Sequence, residues 1–589
     1  MQTASSAPRK GALTRALSAP GTANGLILLG AVLQVLFFIL YLINGDVHVD
    51  EAMLVLNARS LAREGTDIFG QRMPVYFDTW LYGGQSSLAT YLAAAFIRLF
   101  GNQIWIARLP LALTAFAGLF ALKGLVRLLF PGQYTVQNTV LLLTAIEPWR
   151  LYQSAWTLDC AYLPFVLLFA LYFLVHAVEK PKARLLFYTL SMACFALGLY
   201  AYMAAAILIP VLLVILYLSL LIKKKMKFRY ALWSVAILAV CALPFLLLGL
   251  VQAGLLNDCN FLGVYITAMD SYARGNSTTI FGSAGTAGAV FQRAFSNLGG
   301  VLYNILVPDL MLLQSARYPT LSGNVSNYPF GHTVAGLLAL AGLLLFLWPK
   351  KHRKADTDFA KATTARVVIG SFLGAFLVYA IVVSYASNAM YRYAAFYPLL
   401  HILAAFGVCW LLESFSSPAV PRLRCNENND CLLAGLAVVS LALTGFAFGN
   451  FATHNSALYG KSFEQALTAA RDSGSSEILL VDSQDPYFRE RESVFLRFYA
   501  DDKINQMTPL EPELRARGGL SAGNPDVAPR LRPVTKDGSW RYVQVEENRD
   551  LTGDCYIFFG TVPQLDKTRQ QEYTVKNYND FCVTLVRKK

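Results

Sequence analysis

The sequence predicts a mainly α, polytopic membrane protein of about eleven transmembrane helices, followed by a C-terminal external α/β or α+β domain. Three observations predict it. Of 589 residues, 55% are hydrophobic and only 15% charged, with a mean hydropathy of +0.44, whereas soluble proteins run near 45–50% apolar and about 25% charged. Apolar runs recur at lengths close to the ~20 helical residues that cross a hydrocarbon core roughly 30 Å thick. From about His454 the composition turns mixed and charged. The net charge of +13 falls in short cationic clusters between apolar runs, which is the pattern of topology signals, so no nucleic-acid partner is expected. The nine cysteines contain no CxxC pair, which argues against a zinc ribbon or a thioredoxin-type site.

The spans read, in order, Gly25–Ile43, Ile104–Phe130, Asn138–Glu147, Cys160–Val178, Leu185–Ala201, Met203–Ile222, Tyr230–Leu255, Thr333–Trp348, Val367–Ser387, Ala394–Leu412 and Leu432–Phe451. The third is short and extends to about Tyr152. Arg9, Lys10 and Arg15 precede the first span, and no small-residue cleavage site follows it, so it is expected to be retained. Every lysine before Lys461, from Lys10 and Lys123 through the Lys223–Lys227 cluster to Lys361, falls in a tail, loop or helix end on one side of this layout. By the positive-inside rule that side is cytoplasmic. The N-terminus is then inside, and the loops holding Asp50, Asp159 and residues 257–332 are outside.

The layout gives a membrane domain over residues 1–453 and an external domain over 454–589. In the first external loop, 44–103, Glu51–Glu64 reads as an amphipathic helix with Leu54, Ala58, Leu61 and Ala62 on one face. Leu88–Gly101 is apolar but short and is placed flat in the outer interface. A second large external loop covers 256–332. Beyond it, Ser462–Arg471 suits a helix, and Glu477–Val481, Arg541–Val545, Tyr556–Gly560 and Val583–Arg587 suit strands. Cys555 and Cys582 are the only cysteines of that domain, and a disulfide between them is expected.

Candidate chemistry gathers on the outer face. Asp50 and Glu51 lie just past the first span, where a carboxylate can act as general base toward a hydroxyl. The structural alternative is that Asp50 caps the helix starting at Glu51, which the helix dipole favours. Asp159 closes the loop EPWRLYQSAWTLDC and stands at the mouth of the next span, as a second acid or as its N-cap. Arg392 and Tyr393, in NAMYRYAAFYP, open the tenth span, with Arg108 and Arg150 behind them. An arginine fork suits a phosphate, although each arginine also suits a helix anchor. His48 beside Asp50 and Glu51 leaves a divalent metal open, without a second histidine nearby. No other cofactor is called for. GSAGTAG follows no strand and is not a phosphate-binding fingerprint.

The runs VDEAMLVLNARSLAREGTDIFGQRMPVYF, RLPLALTAFAGLFALKGLVRLLF, EPWRLYQSAWTLDCAYLPF and YRYAAFYP together resemble the bacterial membrane glycosyltransferases of the GT-C class, in particular protein mannosyltransferase and aminoarabinose transferase relatives. The resemblance covers Val47–Phe173 well and later spans more loosely. It implies a base at Asp50 with Glu51 beside it, an acidic partner at Asp159, and contact of Arg392 and Tyr393 with a lipid phosphate. Relatives often carry Lys-Pro-Pro where this chain has Gln85, Ser86 and Ser87, and Ser-Arg where it has Ser154 and Ala155. Phosphate recognition is then rearranged here, with Gln85 at a substrate-binding position, or the substrate differs.

What the resemblance implies is transfer of a sugar, with inversion, from a polyprenyl-phosphate donor to an external glycan, lipid or protein acceptor, in the bacterial plasma membrane. A lipid or solute transporter is the rival reading. It calls for mid-membrane acids and broken helices in corresponding halves, and the sequence shows neither.

Overall fold

In a computed structural model the chain is described over residues 12–44, 47–68, 70–78, 84–267, 279–280, 286–306, 333–348, 363–383, 390–415, four positions within 434–442, 460–475, 477–481, 494–499, 540–543, 551–559, 565–578 and 583–589. The membrane domain begins with a short helix α1 (Ala12–Leu17) and the long apolar α2 (Thr22–Asn44). Two helices of the first loop follow, α3 (Val49–Glu64) and α4 (Ser87–Phe100). Then come α5 (Ile104–Leu129), α6 (Tyr134–Ile146), α7 (Pro148–Gln153), α8 (Leu163–Glu179), α9 (Arg184–Ala201) and α10 (Ala205–Ile222). The series continues with α11 (Phe228–Cys241), α12 (Leu243–Gln252), α13 (Ala287–Leu306), α14 (Thr333–Leu347), α15 (Thr363–Val382) and α16 (Tyr397–Phe415).

Seven of the described helices are long and apolar enough to cross a membrane, or eight if α11 and α12, which meet at 65°, form one span. Of the expected eleven, length and composition support seven or eight among the described residues. The helices α6 and α14 have 13 and 15 residues, below the usual spanning length, and Leu432–Phe451 lies outside the described residues except for scattered positions.

Helix α3 starts because His48 caps it: the His48 ring accepts from the Asp50 backbone N–H, and Gly65 ends the helix at φ +73° while donating to the Leu61 carbonyl. The expected amphipathic helix is present, but it is buried on more than one face, with Ala52, Leu54, Val55 and Ala58 all fully enclosed. It packs against α4, which in turn packs on α5. Helix α4 buries Ala89, Ala93 and Ile97 and turns Leu99 and Phe100 outward. This one-sided pattern suits a helix lying along the membrane surface.

Two polar layers mark opposite ends of the bundle. At one end Asn138 donates to the Leu17 and Ala19 carbonyls, Ser18 meets Thr135, and Lys123 bonds Asn24. There too Lys225 pairs with Glu179 at 3.6 Å, and Glu179 accepts from Thr364. At the other end, a hairpin of β1 (Tyr76–Asp78) and β2 (Gly84–Ser86) carries the first loop. A second hairpin, β3 (Cys259–Phe261) with β4 (Val264–Ile266), bridges onto Pro74. Gly84 is required in β2: a Cβ there would stand 2.0 Å from the Tyr76 ring and 2.6 Å from the Phe77 carbonyl.

The C-terminal domain is a five-stranded mixed sheet, with strands β5 (Ile478–Val481), β6 (Trp540–Val543), β7 (Cys555–Phe559), β8 (Tyr573–Tyr578) and β9 (Val583–Lys588) in the order β6-β5-β7-β9-β8. The first three are parallel and the last two antiparallel to their neighbours. The helix α17 (Lys461–Arg471) covers the sheet, its Phe463 stacked on Phe559 at 5.5 Å, and a short α18 (Lys567–Glu572) precedes β8. Strand β8 is absent from the sequence reading because only its end residues are buried, so it lacks the alternation that marks a strand. Cys555 is a buried free thiol whose pKa is pushed up by burial. Its expected partner Cys582 lies outside the described residues.

The C-terminal domain sits on the helix that carries Asp50. The Gly460 N–H donates to the Val47 carbonyl at 2.9 Å. Arg59 on α3 donates to the Phe498 carbonyl at 3.0 Å, lies over the Phe498 ring at 4.5 Å, and also donates to Asn102. The sheet domain and the first loop therefore share one face of the membrane.

Candidate functional site

Asp50 is the second residue of α3 and remains one-third exposed. It is not the cap, as the sequence allowed, because His48 takes that role. The His48 Nδ1 accepts the Asp50 N–H at 3.2 Å, so it does not donate to the Asp50 carboxylate 3.8 Å away. Trp156 packs edge-on against the His48 ring, with centroids 5.5 Å apart, and holds the start of the helix against the second loop.

Glu51, one residue on, points the opposite way and is fully buried. Its two oxygens accept from the Arg108 guanidinium at 2.8 and 2.7 Å, and the first also accepts the Thr157 N–H at 3.1 Å. Arg108 lies over the Tyr41 ring at 4.4 Å. A bidentate pair of this kind is strong and directional. Both side chains are buried and engaged with each other. Together they tie α2, α3, α5 and the second loop into one corner.

Arg150 is likewise fully buried. Its guanidinium donates to the Thr144, Gly30 and Ala145 carbonyls and to Gln34 Oε1. It anchors α7 to α2 and α6 and has no open face for a lipid phosphate. Nearby, the Glu147 carboxylate meets His401 Nε2 at 3.1 Å while His401 Nδ1 meets Thr144 at 2.8 Å. This buried chain fixes α16 against the start of the second loop. Neither its geometry nor its pairing has a signal in the sequence, since a lone histidine in an apolar run reads as core.

Asp159 opens a 3-10 turn, Asp159–Tyr162, that leads into α8. One carboxylate oxygen accepts the Cys160 N–H at 2.7 Å and the other accepts the Ser86 N–H at 3.1 Å. Ser86 is the N-cap of α4, so the carboxylate sits at a helix N-terminus, where a negative charge is favoured. Gln85 donates from Nε2 to the Asp50 backbone carbonyl at 2.7 Å. Consecutive residues of β2 thus hold Asp50 on one side and Asp159 on the other.

The 3-10 turn Met390–Phe396 packs on the Asp159–Tyr162 turn and on α8. The fold therefore brings the backbone of Arg392 to the Asp159 loop; the Arg392 side chain lies outside the described part. Tyr393 is 1% exposed and wedged among Phe376, Tyr379 and Phe396, with the Tyr379 ring centroid 5.3 Å away. It packs the turn rather than facing an open cleft.

Among the described residues, no group of three His, Cys, Asp or Glu side chains converges as a metal site. Glu51 is engaged by Arg108 and His48 Nδ1 by the α3 cap.

A helical membrane domain with two acidic loops at helix mouths on one face, topped by a mixed-sheet domain, is similar in fold to membrane glycosyltransferases of the GT-C class, and the comparisons show that likeness. Residues 85–247 match the family described as dolichyl-phosphate-mannose-protein mannosyltransferase. The fold is similar to that of ArnT from Cupriavidus metallidurans, solved bound to undecaprenyl phosphate, with a TM-score of 0.50 and 15% identity over 96% of this chain and 98% of that one. It is also similar to the archaeal oligosaccharyltransferase AglB from Archaeoglobus fulgidus, solved with an inhibitory peptide and a dolichol-phosphate, with a TM-score of 0.50 and 12% identity over 91% of this chain and 69% of that one. No curated protein matches in sequence.

Proposed function

We propose that this chain transfers a sugar from a polyprenyl-phosphate donor to an acceptor on the outer face of the membrane. The observation that carries the reading is the sorting of the three acidic candidates. Glu51 is sealed by Arg108, and Asp159 is engaged through both oxygens by backbone N–H groups. Asp50 and Asp159 are both partly exposed, and of the three Asp50 is the one whose carboxylate accepts no backbone N–H among the described residues; its backbone is fixed by Gln85 and His48.

Asp50 then takes the proton of the acceptor hydroxyl, the oxygen forms its bond to the anomeric carbon, and the bond from that carbon to the phosphate oxygen breaks with inversion. The electron pair leaves with the polyprenyl phosphate, whose charge Arg392 offsets. Asp159 braces β2 and the start of α4. The N-terminus and the Lys225 end of the bundle are cytoplasmic, and the C-terminal domain is external. The transporter reading calls for broken helices in corresponding halves, and the bent pair α11 and α12 is the single broken span among the described residues.

The test is a comparison of lipid-linked sugars in cells with and without the protein, followed by release of undecaprenyl phosphate from the accumulated donor by the purified enzyme. Absence of any accumulated lipid-linked sugar, together with no release, overturns the reading.

A further inference from the structure

Between the two acidic loops, β2 carries polar atoms that the fold does not use. Gln85 is 5% exposed and Ser86 is 2% exposed. The Gln85 amide orientation is fixed, because its Nε2 faces a carbonyl, that of Asp50, which can only accept. Its Oε1 therefore stands beside Asp50 and has no hydrogen-bond partner among the described residues. Ser86 repeats the pattern. It occupies the N-cap of α4, where a serine hydroxyl normally accepts from the first helical turn, yet it makes no such bond, and its Oγ is also without a partner among the described residues. A buried acceptor left unmade costs free energy, so two of them on consecutive residues of β2 call for an occupant.

The chemistry of the set limits what that occupant is. Gln85 Oε1 and the Asp50 carboxylate only accept, and Ser86 Oγ adds an acceptor that also donates. A phosphate oxygen finds no donor at Gln85 Oε1, whereas a group bearing several O–H bonds satisfies the whole set. We infer that Gln85 and Ser86 form a hydroxyl-reading subsite that contacts the sugar ring of the donor and not its phosphate. This rests on the proposed transfer reaction and adds which part of the donor β2 reads.

Ser86→Ala is the clean probe, because it keeps the backbone N–H to Asp159 and removes only an unused hydroxyl. Binding of bare undecaprenyl phosphate and of a panel of undecaprenyl-phosphate hexoses and pentoses is measured by calorimetry on the full-length protein in detergent. The expected result is at least one sugar-bearing lipid that binds the wild type more tightly than bare undecaprenyl phosphate does. Ser86→Ala then weakens that lipid roughly three- to tenfold, the worth of one neutral hydrogen bond, and leaves bare undecaprenyl phosphate and thermal stability unchanged. Gln85→Met weakens the same lipid more, and also lowers turnover because Asp50 loses its tether.

Equal weakening of both lipids assigns the hydroxyl to the phosphate and overturns the inference. So does a panel in which no sugar improves on bare undecaprenyl phosphate, or unchanged binding by Ser86→Ala. Failure of the wild type to bind any of these lipids is a different result, which removes the proposed donor class itself.

Discussion

Glu51 and Arg108 meet through two parallel hydrogen bonds of 2.8 and 2.7 Å with both side chains closed to solvent, so the residue beside the proposed base is a structural strut. Removing one partner of such a pair strands the other charge, at a cost of about 3–5 kcal/mol. Glu51→Gln and Arg108→Met are each expected to lower the thermal unfolding temperature in detergent sharply, and the double variant Glu51→Met with Arg108→Met is expected to recover part of the loss. A Glu51→Gln protein of normal stability and no transfer activity would instead make Glu51 a participant in the reaction.

Asp50→Asn separates chemistry from architecture. The α3 cap belongs to His48, and Gln85 grips the Asp50 carbonyl rather than its side chain, so folding is expected to change little. Loss of a general base typically removes about 10² to 10⁴ in rate. Steady-state transfer by Asp50→Asn at wild-type levels rejects it as the base.

Asp159→Asn is expected to act differently. The amide keeps one acceptor oxygen for the Ser86 or Cys160 N–H but loses the charge that sits at the α4 N-terminus, an interaction worth about 0.3–1 kcal/mol. A modest loss of stability and a smaller fall in turnover than for Asp50→Asn are expected. If Asp159→Asn is inactive while Asp50→Asn is near normal, the two roles are exchanged.

Arg392→Lys keeps one positive charge on the turn beside Asp159 and loses the planar fork. Donor affinity is expected to fall clearly with insertion unchanged. Arg150→Gln offers the contrast: its guanidinium serves four acceptors within the bundle, so the expected loss is in folding yield. Unchanged donor affinity in Arg392→Lys leaves that residue a helix anchor only.

The seat of the C-terminal domain is tested at Gly460. A side chain there meets the Tyr499 hydroxyl at 2.6 Å and the Phe495 ring at 2.8 Å, and the Gly460 N–H holds Val47. Gly460→Val is expected to loosen the domain, seen as faster limited proteolysis beyond residue 460 and a fall in transfer with donor binding less affected. Wild-type proteolysis and turnover would make the contact incidental.

Features written in local pattern were legible in the sequence. The acidic residues at helix mouths, the amphipathic run that became α3, the one-sided α4 and four of the five sheet strands all depend on neighbours within a few positions. Pairings across the chain were not legible. Nothing in the order of residues says that Arg108 is claimed by Glu51 or that Arg150 is claimed by carbonyls of α2 and α6. An isolated arginine near a membrane face looks the same whether it awaits a phosphate or is already satisfied. The same holds for Gln85, whose grip on Asp50 exists only once β2 is folded beside α3.

The contact between Gly460 and Val47 also sets an order of events during biosynthesis. Val47 stands three residues before the proposed base and leaves the ribosome early, whereas Gly460 follows every predicted crossing. The helix bearing Asp50 therefore waits, without its covering domain, until the residues beyond Gly460 have been made and folded. Catalytic competence is then a late event in the life of the polypeptide, and a chain stalled in the membrane before that point carries the proposed base but lacks the domain that seats it.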